Sequence, residues 1–332
     1  MVKLFSLIPK TYQLKPLTVV KRVKTGFLSH NWILETEQSQ YFLKQYRITD
    51  RSRVQEIHEA KAFFSQKGIP VILPLPNIQG DTITSLQGKH FTLFPFINGP
   101  IINRTNYSEK HFRAAGAMLA KIHSAGMNAP SHIFSKQSSR CSLEKFKREY
   151  EAVLNAMQQD KFFDIAYSTM NLKKSLVENE CANYLDLGLK NDHLIHGDYH
   201  GNNIFFDNIG DIKHVFDFEK TEMAPRSYEL ARSIDFMCLS NNYGRKELSS
   251  AGQYLSSYNQ NYPIDANEIT RGFYMYFCRK AHSLWVEKEH YLNHSQRVDH
   301  FLADEIKMLT YYSQNIHSLV NAIIHYAQIK TT

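Results

Sequence analysis

The chain has 332 residues, 43% of them hydrophobic and 13% aromatic, with no biased tract. That length exceeds what one core usually organises, so two lobes are expected, and the composition excludes a disordered or fibrous protein. The formal net charge is +7, but there is no basic run and no nucleic-acid-binding motif, which leaves nucleic acid out of the expected partners.

The opening residues, MVKLFSLIPK, hold too short an apolar run for a signal peptide and reach Pro9 early. No later segment offers the roughly 20 apolar residues of a membrane span, so a cytoplasmic protein away from the membrane is expected. Residues 17–46 alternate in the strand manner, and NWILET and QYFLKQY, joined by EQSQ, form a predicted hairpin. DRSRVQEIHEAKAFFSQKG predicts a helix capped by Asp50 or Ser52, with Val54, Ile57, Ala60, Phe63 and Phe64 near helical spacing and Gly68 at its end. PVILPLP and HFTLFPFI look like further strands. After NGP the texture turns helical: SEKHFRAAGAMLAKIHSAG, with Ser108 as cap, then more helical pattern over 142–185. A strand-loop-strand over 193–218 interrupts, and long helical segments fill 226–326. The expected class is α+β: a small antiparallel-sheet lobe with one helix (residues 1–96), then a larger, mostly helical lobe (97–332) with a helical insert at about 140–190. Cys141, Cys181, Cys238 and Cys278 form no Cys-x-x-Cys pair, which points to scattered buried thiols in a reducing compartment.

Charge is unevenly spread. Residues 1–139 hold 18 Lys+Arg against 7 Asp+Glu, while 191–217 hold one lysine against five aspartates. A polyanion could lie against the first stretch and a divalent cation on the second. The second contains LIHGDYHGNNIFF, Leu194 to Phe206, then DNIGDIKHVFDFE. Strands at Ile204–Phe206 and Lys213–Phe216, joined by a turn, return the chain so that Asp217 falls near Asn203. Two oxygen-bearing side chains meeting there suit a hard divalent cation. Asp198 can accept a proton from a substrate hydroxyl. With a lysine on an upstream strand, these residues form a kit for phosphoryl transfer.

HGDYHGNN followed by VFDFE resembles the catalytic and metal-binding segments of the aminoglycoside phosphotransferase and choline kinase-like family, small-molecule kinases with a two-lobed protein-kinase-like fold. The resemblance runs in order along nearly the whole chain. It implies ATP and Mg²⁺, with Asp198 as base and Asn203 and Asp217 as metal ligands. His196 would brace the loop, His200 would help hold Asp198, and Asn202 would be a structural hydrogen-bonder. Lys44 in YFLKQY matches the nucleotide-phosphate lysine and Glu59 its helix partner, with Glu56 one turn earlier as the alternative. FTLFPFINGP, with Phe94 and Phe96, is similar to the segment whose backbone receives adenine. VKTGFLSHNW stands where the phosphate-covering loop belongs. It has a single glycine, Gly26, and no Gly-x-Gly-x-x-Gly; Gly26, Ser29 and Asn31 are the residues there that could approach phosphate. LAKIH precedes the helical insert as in the family, and PRSYELARSI resembles a Pro-x-x-Tyr-Asp-Leu-Ala segment with Glu229 in place of the aspartate.

Other readings stay open. His193, His196, Asp198 and His200 could form the metal site of a hydrolase. The same fold could act on protein Ser/Thr, although the insert at 140–190 would crowd a peptide groove, or serve without catalysis. For a small-molecule kinase, the charge balance of 12 against 12 over 218–332 and 8 against 8 over 140–190 favours a neutral or singly charged acceptor over a polycationic aminoglycoside. An amino alcohol, a hydroxy amino acid or a sugar would fit. Tyr274, Tyr276, Phe277 and Trp285 are aromatic residues available to such a pocket, or else core. A monomer or homodimer is expected.

Overall fold

The computed structural model describes residues 2–23, 30–99, 101–130, 142–181 and 187–330. The chain forms two compact units. The first comprises Met1–Asn103, Asn128–Ser135 and His196–Thr221; the second comprises Arg104–Met127, Lys136–Ile195 and Glu222–Thr332.

The first unit is built on a five-stranded antiparallel sheet of β1 (Val19–Val23), β2 (His30–Glu35), β3 (Gln40–Gln45), β4 (Thr84–Leu86) and β5 (Lys89–Pro95), in the order β1-β2-β3-β5-β4. The predicted hairpin is β2–β3, with Asn31 opposite Lys44 and Ile33 opposite Phe42. Strand alternation sorts the side chains. Trp32, Leu34, Leu43, Phe91 and Leu93 form a buried cluster with Leu4 and Ile8 of helix α1 (Val2–Thr11) and with Tyr12 just after it. Lys44 and Tyr46 alternate with Leu43, and Tyr46 meets the second helix, its hydroxyl 3.1 Å from His58 Nε2. That helix, α2 (Arg51–Gln66), is capped by Asp50, whose Oδ1 accepts from the Ser52 amide at 2.9 Å. It buries Val54, Ile57, His58, Ala60, Lys61, Phe63 and Phe64. Helix α1 was not anticipated.

PVILPLP is not a strand. Pro70, Pro74 and Pro76 offer no amide to a ladder, and the segment makes a single bond from the Leu75 amide to the Leu93 carbonyl at 2.8 Å and an isolated bridge between Val71 and Val215. Its partner lies in the hairpin of β7 (Ile204–Phe206) and β8 (Ile212–Val215), after β6 (His193–Ile195) in the chain. The Asp207 carboxylate closes the hairpin turn, accepting from the amides of Ile209 and Asp211 at 3.0 and 2.9 Å. The compact units do not follow the expected boundary at residues 96 and 97, because segment 196–221 belongs with the sheet. The Val215 amide donates to the Pro70 carbonyl at 2.9 Å, Phe218 packs 5.6 Å from the Phe64 ring, and Arg53 donates to the Thr221 carbonyl at 2.5 Å.

The second unit is mostly helical: α3 (Glu109–Gly126), α4 (Leu143–Ala156) and α5 (Phe163–Asn179) of the expected insert, α6 (Arg226–Ile234), α7 (Arg245–Asn261), α8 (Ala266–Ala281), α9 (Trp285–Tyr291) and α10 (Phe301–Tyr326), with β6 paired to β9 (Glu222–Ala224). Residues Asp235–Leu239 continue α6 as a π-helix. Glu229 is fully buried, and its Oε2 lies 3.0 Å from His123 Nε2, while His123 Nδ1 lies 2.8 Å from the Tyr258 hydroxyl. Burial pushes His123 down to about 3, so the ring is neutral and the contact is a hydrogen bond. Lys173 sits fully buried between Glu287 and Glu305, at 2.8 Å from each. Tyr276 and Phe277 are core, whereas Trp285 is 38% exposed. No helix among the described residues is long and apolar enough to cross a membrane.

Candidate active site

The first unit alone carries Lys44, Asp198, Asn203 and Asp217. His196 starts the loop. It is fully buried, accepts at Nδ1 from the Asp198 amide at 3.1 Å, and donates from Nε2 to the Phe216 carbonyl at 2.9 Å. One nitrogen accepts and the other donates, so the ring is a neutral brace between loop and hairpin. Gly197 follows at φ +81°, with the Lys220 carbonyl so close that a Cβ would stand 2.0 Å from its oxygen. Asp198 then turns outward to Lys220, whose Nζ lies 3.0 Å from Oδ2. His200 Nε2 stands 3.6 Å from Asp198 Oδ1, too long for a hydrogen bond, while His200 Nδ1 accepts from the Asn202 amide at 3.3 Å.

Asn203 is buried, and its Nδ2 donates to the Asp198 carbonyl at 2.8 Å. That bond takes up the Nδ2 donor and fixes the orientation of the amide. The Phe216 amide donates to the Asn203 carbonyl at 3.0 Å, which brings Asp217 beside Asn203 as the hairpin predicts. Asp217 has φ +64°, a left-handed conformation that aspartate adopts more readily than most residues. Asn203 and Asp217 thus offer two side-chain oxygens, the donor type a hard divalent cation takes.

Lys44 does not pair with Glu59 or Glu56. Its Nζ lies 2.8 Å from Asp217 Oδ1 and 2.5 Å from Glu219 Oε1, the latter an ion pair without hydrogen-bond alignment. Glu59 accepts from Gln55 Nε2 at 3.0 Å, and Glu56 pairs with Arg53 at 3.1 Å. The reason is helical phase: the buried face of α2 runs Val54, Ile57, Lys61, Phe64, and both glutamates lie beside it. Burial would lower the Lys44 pKa, but Asp217 and Glu219 outweigh it and hold the ammonium charged. Burial likewise raises Asp217, and Lys44 more than reverses that, keeping the carboxyl below its usual range.

Asn31, opposite Lys44 on β2, has its Oδ1 buried with no hydrogen-bond partner among the described residues. Phe94 is buried at the end of β5, and the Phe96 amide donates to the Gln40 carbonyl at 3.3 Å. Gly26 and Ser29 lie outside the described residues. Sequence reasoning missed Glu219, Lys220 and Lys61. Glu219 was legible as the last residue of DFE, and Lys61 stands seven residues after Val54 on the same stripe.

The metallo-hydrolase cluster does not assemble. Both His196 nitrogens are engaged by backbone, at Asp198 and Phe216, and His193 lies 2.6 Å from Asp192 and 3.0 Å from the Tyr262 hydroxyl. Among the described residues there is no group of three or more His, Cys, Asp or Glu able to hold a metal ion.

The profile of the Phosphotransferase enzyme family matches residues 19–263. Homoserine kinase of Caulobacter vibrioides (strain NA1000 / CB15N) is 24% identical over 270 residues, covering 77% of each chain, and homoserine kinase of Methylobacillus glycogenes is 22% identical over 267 residues, covering 78% of this chain and 76% of its own. Among solved structures, a microcompartment-associated aminopropanol kinase superposes with a TM-score of 0.67 at 11% identity, over 95% of this chain and 98% of the other. An amicoumacin kinase in complex with AMP-PNP and Ca²⁺ gives 0.65 at 14%, over 96% and 93%. These likenesses fix the fold as that of the protein-kinase-like small-molecule kinases.

Proposed function

We propose, for a chain that belongs to the phosphotransferase enzyme family and is a small-molecule kinase, that it moves the γ-phosphoryl group of ATP to the hydroxyl of a small amine-bearing alcohol of the homoserine type. The observation that carries this reading is the convergence, in one unit, of Lys44 with Asp217 and of Asn203 with the Asp198 loop. Asp198 orients the acceptor hydroxyl and takes its proton. Lys44 neutralises phosphate oxygens, and Asn203 and Asp217 would hold Mg²⁺, which would supply further charge neutralisation for the phosphates. His196 and Asn203 keep Asp198 in place through the backbone. Positioning and charge do most of the catalysis in phosphoryl transfer, so the rigid loop matters as much as the base. With ATP as donor the reaction belongs in the cytoplasm.

For the acceptor, support comes from relatives named homoserine kinase and from a neighbour named aminopropanol kinase. Each of those names denotes a molecule with one amine and one hydroxyl. The balanced charge of residues 218–332 agrees, since a polycation would need a surplus of carboxylates. The test is an ADP-release comparison of homoserine, aminopropanol, simple sugars and aminoglycosides, with Asp198→Asn as control. Homoserine or aminopropanol should give the highest kcat/KM, and the variant should lose about 10²–10⁴-fold in kcat. An aminoglycoside at the top of the ranking, or near-normal turnover of the variant, would defeat the proposal.

A further inference from the structure

Three carboxylates line the candidate site, and two lysines are paired to them: Lys220 to Asp198, and Lys44 to both Asp217 and Glu219. That leaves one excess negative charge where a polyanionic donor has to bind. Lys61 is a further cation beside these groups. It is 4% exposed, and its ammonium lies 4.3 Å over the Phe94 ring. Among the described residues it makes no hydrogen bond or ion pair, although the charges that act on it are Lys44, Asp217 and Glu219. Burying an ammonium without a carboxylate is costly, and a ring face returns only part of that cost. Such a group is retained where an anion arrives to complete it.

We propose that Lys61 is the second cation of the nucleotide site, and that the phosphates of the donor are its first ionic partner. This deepens the ATP reading above and rests on it. The stripe Val54, Ile57, Lys61, Phe64 fixes where the side chain can go, because its neighbours are packed and buried. Phe94 holds the ammonium by its ring face, which directs the cation without competing for it as a carboxylate would. Lys44 has much of its charge offset by two carboxylates, and Lys61, which burial holds down at about 7, gains its full charge when a polyphosphate arrives beside it. The position also accounts for the displaced glutamates of α2. A glutamate at 61 would add a fourth carboxylate to the site, whereas Glu56 and Glu59 are bonded on the helix itself.

The experiment is calorimetric titration of the full chain with ATP and, separately, with adenosine, both in Mg²⁺, for wild type and Lys61→Met. Loss of a charge-assisted contact predicts ATP affinity weaker by on the order of 10- to 100-fold, with adenosine affinity within about twofold of wild type. In turnover with a responsive acceptor, KM for ATP should rise while KM for the acceptor stays put, a split that a merely structural residue would not produce. Unchanged ATP affinity overturns the inference alone, and so does an equal loss for ATP and adenosine, which would mean that Lys61 only shapes the pocket. Wild-type chain that binds no ATP overturns the donor reading together with it. If Lys61→Met does not fold, Lys61→Gln decides by the same two titrations.

Discussion

Replacing Gly197 by alanine should disable the loop for two separable reasons. The first is backbone: φ is +81°, and an alanine there costs about 1–2 kcal/mol. The second is contact. The new Cβ would lie 2.0 Å from the Lys220 carbonyl oxygen and 2.5 Å from its carbon, so the strands of chain must part by about 1.4 Å to reach ordinary contact at 3.4 Å. Overpacking of that kind costs about 1–3 kcal/mol, giving about 2–5 kcal/mol in all. The retreat also moves Lys220 from Asp198 and strains Phe218 against His196, whose ring centroids lie 4.2 Å apart. A shift of about 1 Å at a reacting group can cost 10²-fold in rate. Gly68 is the control, since it has φ +77° but no atom within 4 Å of an added Cβ, so Gly68→Ala should cost about 1 kcal/mol and leave kcat alone. Asparagine, which tolerates the left-handed region, should recover most of the loss at Gly68 and none at Gly197. Urea unfolding and steady-state kinetics of the four variants check this. Gly197→Ala within 0.5 kcal/mol of wild type and with undiminished kcat would refute the reasoning.

Other outcomes follow from the same geometry. Glu59→Gln should change kcat and the ATP KM by less than about twofold, whereas Glu219→Gln, by freeing Lys44 from one of its two carboxylates, should lower the ATP KM; an unchanged ATP KM would show that Glu219 does not offset the Lys44 charge. Burial, aided by Lys44, lowers Lys61 to about 7 from an ordinary 10.5. The folded chain therefore binds fewer protons than the unfolded one between those values, and stability rises with pH across that window. The gain in melting temperature of Lys61→Met over wild type should accordingly be largest near pH 6 and shrink toward pH 10, and a pH-independent difference would contradict the assignment. Lys173→Met strands Glu287 in the core of the second unit and leaves Glu305 paired with Lys280 at 2.7 Å; it should cost about 3–5 kcal/mol by urea unfolding, and a loss under 1 kcal/mol would show that the cluster relaxes or takes up protons cheaply.

The hairpin β2–β3, the Asp50 and Ser108 helix starts and the nearness of Asp217 to Asn203 were legible because each follows from local spacing. The partner of Lys44 was not. On α2 the apolar residues alone mark a broad stripe, and a lysine inside it is ordinarily taken as solvent-facing, so nothing in the periodicity singles out Lys61, and Glu59 rested on the family resemblance alone. PVILPLP was misread because its aliphatic run outweighed three prolines, and α1 (Val2–Thr11) was missed because the opening residues were weighed only as a signal peptide. The π-helical Asp235–Leu239 leaves no mark on hydrophobic periodicity over five residues. Lys220 could be placed only once the turn after Asp217 was known.

The first unit is made from residues up to Asn103 and a stretch ending at Thr221, which gives its assembly a clock. At about 5–20 residues per second, a ribosome needs roughly 6–24 seconds between those two points. Throughout that interval the nascent sheet and α2 carry Lys44 and Lys61 with Asp217 and Glu219 still unmade. Phe64 waits for Phe218, and the Pro70 carbonyl for the Val215 amide. Two cations destined for one small space repel until the acidic turn is delivered, so the pace of translation, more than strand pairing, sets the earliest moment at which this site can exist.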